Sequence, residues 1–181
     1  MPAAAAKPAK RKPAPGAGPK IVSSSHLVSP RSAELSEFEF GLIVAWNAFS
    51  RWAVRCMAAA GVGELTITDV LLLHHVNHRA RNKKLADICF VLNYEDTHVV
   101  AYSLKKLVAA RLVKADKVGK EVLYSPTARG EAAVQAYRRV REQCLVESLD
   151  TELNAPIGEL ARLLRTMSGM YDQAARAASS L

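Results

Sequence analysis

Between Lys83 and Gly130 the spacing of apolar side chains changes period twice, and that order restricts the chain to few arrangements. Leu85, Ile88 and Cys89 or Leu92 fall on one side of a short helix over Lys83 to Val91. The polar turn Asn93-Tyr94-Glu95-Asp96-Thr97 follows, and then a longer helix from about Thr97 to Ala110. On that helix Val100, Leu104, Leu107 and Val108 share about 100° of arc, which predicts a buried face. The pattern then alternates over Leu112 to Lys117 and Glu121 to Ser125, two strands joined by a turn at Val118-Gly119-Lys120. Helical spacing resumes after Thr127, a hydroxyl cap, through Gly130, Val134, Tyr137, Val140 and Leu145 to about Leu149.

Long helical segments flank this block. From Ser32 to Ala60 apolar residues recur in steps of one, three and four, among them Leu35, Phe38, Leu42, Trp46, Phe49, Trp52 and Cys56. Such a stripe has to be buried, and Ser36 with Glu39 has the spacing of a capping box near its start. Gly61-Val62-Gly63 stops that helix, and a second runs from Thr66 or Thr68 to about Asn77. A last helix carries Pro156 in its first turn and ends in the alanine-rich stretch Tyr171 to Leu181. The expected fold is mainly α with a small β-hairpin, and no repeat of 20 to 50 residues is visible.

A chain of 181 residues, half of them apolar, is long enough for a sizeable core. It has no run of 18 apolar residues to span a membrane, and its three unpaired-looking cysteines suit a reducing cytoplasm. Residues 1–32 lack the apolar stretch of a secretory signal. The net charge of +8 is unevenly placed: +6 over residues 1–32, −3 over 33–78, +6 over 79–129 and −1 over 130–181. The first basic segment is rich in Pro, Ala and Gly, too poor in apolar periodicity to fold, and is expected to be a disordered cationic tail. The second lies inside ordered sequence.

A short helix, a polar turn, a longer helix and a hairpin with a cationic tip form the arrangement of a winged helix-turn-helix, whose second helix enters a major groove of duplex DNA. His98, Tyr102 and Lys105 fall opposite the buried face of that helix, with Lys106 beside them, so they are the candidates for base edges and nearby phosphates. Thr97 would offer its backbone N–H or hydroxyl to a phosphate. Lys114, Lys117 and Lys120 crowd the hairpin, and Arg79, Arg81, Lys83 and Lys84 precede the supporting helix; these would hold the backbone and set register.

The stretch LADICFVLNYEDTHVVAYSLKKLVAARLVKADKVGKEVLYSPTARGEAA resembles the MarR family of bacterial transcription regulators. Leu85-Ala86 matches the opening of that family's supporting helix. The segment from Leu107 to Val113 matches its Leu-x-x-x-Gly-Leu-Val, and Ser125 to Gly130 matches its Leu-Thr-x-x-Gly. Arg111 stands where the family has Gly, about four extra residues precede the recognition helix, and the wing lacks the family's Asp-x-Arg. The resemblance covers roughly 50 residues closely and extends over the flanking helices to about 33–181.

What the resemblance implies is a homodimeric, sequence-specific DNA-binding transcription regulator. Its winged helix-turn-helix domain (63–130) would be flanked by dimerisation helices at 33–62 and 131–181, with room for a small-molecule effector. The apolar surface of the first helix and of Leu160 to Met170 favours self-association independently. A rival reading makes the winged fold a protein-interaction scaffold whose tail attaches weakly to nucleic acid, and a third makes the chain an effector or metal sensor.

Other chemistry finds less support. His74 and His78 share a helix face at i, i+4, but two imidazoles need further ligands to hold a metal and there is no H-E-x-x-H. His26, His98 or a distant carboxylate would have to complete the set. Among the cysteines only Cys144 has a basic neighbour, Arg141, to activate it, while Cys89 next to Phe90 and Cys56 suit buried, inert thiols. Glycine-rich phosphate loops and the nucleophile elbow are absent, so neither catalysis nor a cofactor is expected.

Overall fold

The computed structural model describes Ser29 and residues 31–181, so the basic tail expected over 1–32 lies almost wholly outside the described residues. The elements run α1 (Ala33–Ala59), α2 (Ile67–Asn77), β1 (Lys83–Lys84), α3 (Leu85–Leu92), α4 (Thr97–Ala109), β2 (Val113–Val118), β3 (Glu121–Pro126), α5 (Ala128–Arg141) and α6 (Asn154–Ala178). The chain divides into two units, residues 1–50 and 51–181, with the boundary inside α1. No helix among the described residues is long and apolar enough to cross a membrane.

In the larger unit the core forms where the periodic faces of five elements meet. Val70, Leu72, Leu73 and Val76 of α2 pack with Ile88 of α3, Val100, Leu104 and Leu107 of α4, Leu112 and Val113 at the start of β2, and Ala133 and Tyr137 of α5. Ala53, Cys56 and Met57 from the end of α1 complete it. Each fully buried Leu contributes about 2 kcal/mol by leaving water.

The helix starts are chemically explicit. Thr66 accepts the Asp69 N–H on its hydroxyl while the Asp69 carboxylate accepts the Thr66 N–H at 2.8 Å, a reciprocal cap on α2. The Asp96 carboxylate accepts the His98 N–H at 2.8 Å at the head of α4, and Thr127 accepts the Gly130 N–H at 3.0 Å at the head of α5.

Four expectations are corrected. The wing is part of a three-stranded antiparallel sheet in the order β1-β3-β2, with Lys83 opposite Tyr124 and Lys84 opposite Leu123. Lys83 and Lys84 therefore leave the expected helix, because the free edge of β3 offers backbone partners that two lysines cannot announce by any periodicity. Ser36 and Glu39 lie inside α1, whose helical residues begin at Ala33, so their spacing marks no helix start. The helix after Thr127 ends at Arg141, giving way to a π-helical turn over Glu142–Val146 rather than running to Leu149. The stripe of α1 is buried only toward its end, at Ala53, Cys56 and Met57, whereas Leu35, Leu42, Trp46 and Phe49 are exposed. Helix α4 ends where expected, with Ala110 as its cap and Arg111 after it. Arg111 there is left-handed at φ 58°, with its N–H on Val108 O and the Leu112 N–H on Leu107 O, the paired bonds of a Schellman ending.

A side chain at that position strains the backbone where Gly would not. Arg111→Gly is therefore expected to stabilise the chain by about 0.5–1 kcal/mol, raising Tm by about 2 °C. Calorimetry of the variant checks this, and an unchanged or lower Tm would refute it.

Candidate nucleic-acid interface

The outward face of α4 is what the arithmetic of the helix turn leaves once Val100, Leu104 and Leu107 are buried. His98, Tyr102 and Lys105 are exposed, with Tyr102 at 73%. Asp96 anchors the head of this helix, and the chain passes from its end through Arg111 straight into β2. The recognition candidates and the wing are thus carried on one continuous stretch of backbone. At the wing tip the two-residue turn Gly119-Lys120 needs a positive φ at its first position, supplied by Gly119 at 62°. Lys117 and Lys120 are exposed there.

Lys106, Lys83, Lys84 and Lys114 are engaged within the protein, whereas Arg79 and Arg81 are exposed. The Lys106 ammonium lies 2.7 Å from the Asp69 carboxylate and donates at 2.7 Å to Glu64 O. It belongs to the joint between α2 and α4 and not to the outward face. Asp69 is 2% exposed and also accepts the Ser103 hydroxyl. Burial alone would raise its pKa, but the bonds from Lys106, Ser103 and Thr66 together hold it below the usual carboxylate value. Asp69 and Ser103 escaped the reading of the sequence. The available signal was a serine set within the apolar sector of α4.

Lys83 is likewise turned inward, donating to Val76 O at 3.1 Å, His78 O at 2.5 Å and Arg81 O at 3.4 Å. It caps the carbonyl end of α2. Lys84 pairs with Glu121 of β3 at 2.7 Å on the surface, tying β1 to the wing, and Lys114 lies 3.6 Å from Asp116 on its own strand. These two pairs are solvent-exposed and open readily to an external phosphate. Thr97 is exposed, but the Asp96 carboxylate already caps the helix head and would repel a phosphate placed there.

The histidine pair does not converge. His74 packs edge-on against Tyr137, ring centroids 4.4 Å apart, its Nε2 is buried without a partner, and burial pushes its pKa down; His78 is exposed. Among the described residues no group of three or more His, Cys, Asp or Glu is placed to hold a metal ion. Cys56 and Cys89 are buried with thiol pKa values raised chiefly by burial, whereas Cys144 is exposed.

The family described as winged helix DNA-binding domain matches residues 65–130. Solved structures share the fold over most of the chain. RV1404 from Mycobacterium tuberculosis is 18% identical with a TM-score of 0.58, covering 78% of this chain and 97% of that one. AbfR of Staphylococcus epidermidis is 15% identical with a TM-score of 0.64, covering 78% and 96%. A MarR/EmrR family transcriptional regulator from Acinetobacter sp. ADP1 is 16% identical with a TM-score of 0.58, covering 76% and 96%. No curated protein sequence matches. At these identities the likeness is one of fold, and that fold is the winged helix with flanking long helices seen in MarR-type regulators.

Proposed function

We propose that this chain, a winged helix DNA-binding domain set in a MarR-type fold, is a homodimeric transcription regulator that recognises a specific operator in duplex DNA. The observation that carries the reading is the exposed face of α4, where His98, Tyr102 and Lys105 stand outward on a helix whose opposite face is buried. Lys and Tyr there reach base edges in a major groove, while Lys117 and Lys120 at the wing tip meet phosphates. Lys84 and Lys114 join them once their surface ion pairs open.

Dimerisation is supported by uncovered apolar surface. In the unit of residues 1–50, Leu42, Trp46 and Phe49 are exposed. In the larger unit, α6 has no buried residue and exposes Ile157, Leu160, Leu163, Leu164 and Met170 at helical spacing. Faces of this kind are what a second copy covers, and sedimentation should find a dimer at micromolar concentration. Control by a small molecule is supported by a cavity of about 550 Å³ that Phe90 lines from α3, Tyr94 from the turn before α4, and Asp172 and Arg176 from α6. An occupant there would press on the segment that orients α4.

Footprinting across promoters identifies the operator, and titrations against operator and random duplexes then test the reading. Tyr102→Ala and Lys105→Ala are each expected to cost about 1–3 kcal/mol of discrimination between the two. Lys117→Ala and Lys120→Ala should weaken both duplexes alike and each lower the salt slope by about 1. Deletion of residues 1–32 should weaken all sequences equally. If that deletion removed all binding while the α4 substitutions changed nothing, the scaffold reading would replace this one.

A further inference from the structure

We propose that the cleft where α2 gives way to β1 is a binding site for a small phosphate-type anion. The cavity there has a volume of about 380 Å³, in the range of small-ligand sites. His75 and His78 line it from the end of α2, Arg79 and Arg81 from the following turn, and Lys83 from β1. Asp87 and Val91 of α3 close the far side. Two guanidiniums and two imidazoles thus face a single carboxylate, while the Lys83 ammonium is spent on backbone carbonyls. Neither guanidinium has an ion-pair partner among the described residues.

The backbone that carries those guanidiniums is held from within. Lys83 reaches back to three backbone carbonyls of the segment Val76 to Arg81, which removes the negative end of α2 from the electrostatics of the cleft. Arg79 is left-handed at φ 65° and ψ 19°, a conformation that costs a non-glycine residue strain and is kept by that clamp. Unpaired arginine forks on this held backbone suit the oxygens of a phosphate group, which they engage two at a time.

His75 supplies an internal reporter. Its pKa is pushed down by burial first, then by Lys83 and His78. An anion seated among these charges opposes the repulsion from the cations, so its binding raises the His75 pKa.

The experiment is a titration of the full chain with inorganic phosphate, followed by NMR of the His75 ring protons, against chloride at matched ionic strength. A saturable shift specific to phosphate and a raised His75 pKa are expected. Arg79→Gln with Arg81→Gln should weaken phosphate binding by about tenfold, and Arg138→Gln with Arg139→Gln on α5 should leave it unchanged. Circular dichroism checks that both variants are folded. No saturable shift, an equal response to chloride, or undiminished binding by the Arg79/Arg81 variant would overturn the proposal.

A second arm adds a duplex of random sequence. If it reproduces the His75 shift and phosphate competes it away, the backbone of DNA is a source of the anion; if it has no effect, the site takes free phosphate or a small phosphoryl compound. The site stands or falls on the phosphate titration, independently of whether an operator exists.

Discussion

Gly130→Ala should destabilise the winged domain by about 3 kcal/mol or more, enough to leave much of the protein unfolded at moderate temperature. A Cβ at position 130 would lie 2.0 Å from Leu112 O, 3.0 Å from its carbonyl carbon and 3.4 Å from its Cα. Those are backbone atoms at the junction of α4 with β2, with no rotamer into which to retreat. The same Leu112 carbonyl accepts the Thr127 N–H at 3.1 Å, while the Thr127 hydroxyl donates to Arg111 O at 2.7 Å and caps α5 at Gly130. Relieving the clash therefore also pulls apart the cap, worth about 1 kcal/mol more. Urea denaturation reads the effect, with Gly63→Ala as the control, since a Cβ there meets nothing within 4 Å and should change stability by less than about 0.5 kcal/mol. Equal midpoints for the two variants would mean that α5 does not approach β2 this closely.

The second large effect falls on the joint beneath the outward face. Asp69→Ala strips the shared acceptor from Thr66 N–H, from the buried Ser103 hydroxyl and from Lys106. Lys106 keeps Glu64 O and a side chain 36% exposed, so it recovers some hydration, whereas Ser103 is left buried without its partner. A loss of about 2–3 kcal/mol follows, below what a fully buried pair would cost. Because the Asp69 pKa is held below its ordinary value of 3.8, the stability from its charge is fully present above that pH and is lost as pH falls through the lowered pKa. The gap between wild type and Asp69→Asn should accordingly be wide at pH 7 and close below about pH 4. A gap independent of pH would show that the carboxylate's charge plays no part. Discrimination between duplexes should fall along with stability, since Asp69 joins the cap of α2 to the helix that bears Tyr102 and Lys105.

Much of the architecture was legible from local pattern. Period-3.6 spacing located α2, α4 and the end of α1; Thr127 announced its cap and the cap of α2 was narrowed to Thr66 or Thr68; and the alternation around Gly119 announced the wing. The resemblance pointed to Gly130, and the close approach of Leu112 explains why a glycine stands there. The outward residues His98, Tyr102 and Lys105 followed from helix geometry alone. Arg111 was visible as a departure from the resembled family, but that it carries a left-handed backbone was not.

The order of the main helices and the hairpin, the buried face of α4 and the residues that stand outward on it were determined by the sequence alone, because period and capping are properties of neighbours along the chain. Which cations are free to meet a phosphate was decided by tertiary structure. Lys106 looks as available as Lys105 until α2 packs on α4 and brings a carboxylate 37 positions away within 2.7 Å. Lys83 looks like a surface charge until the turn after α2 folds its carbonyls around the ammonium. The physical reason is that a charge is neutralised by what lies within a few ångströms in space, and distance along the chain does not record that.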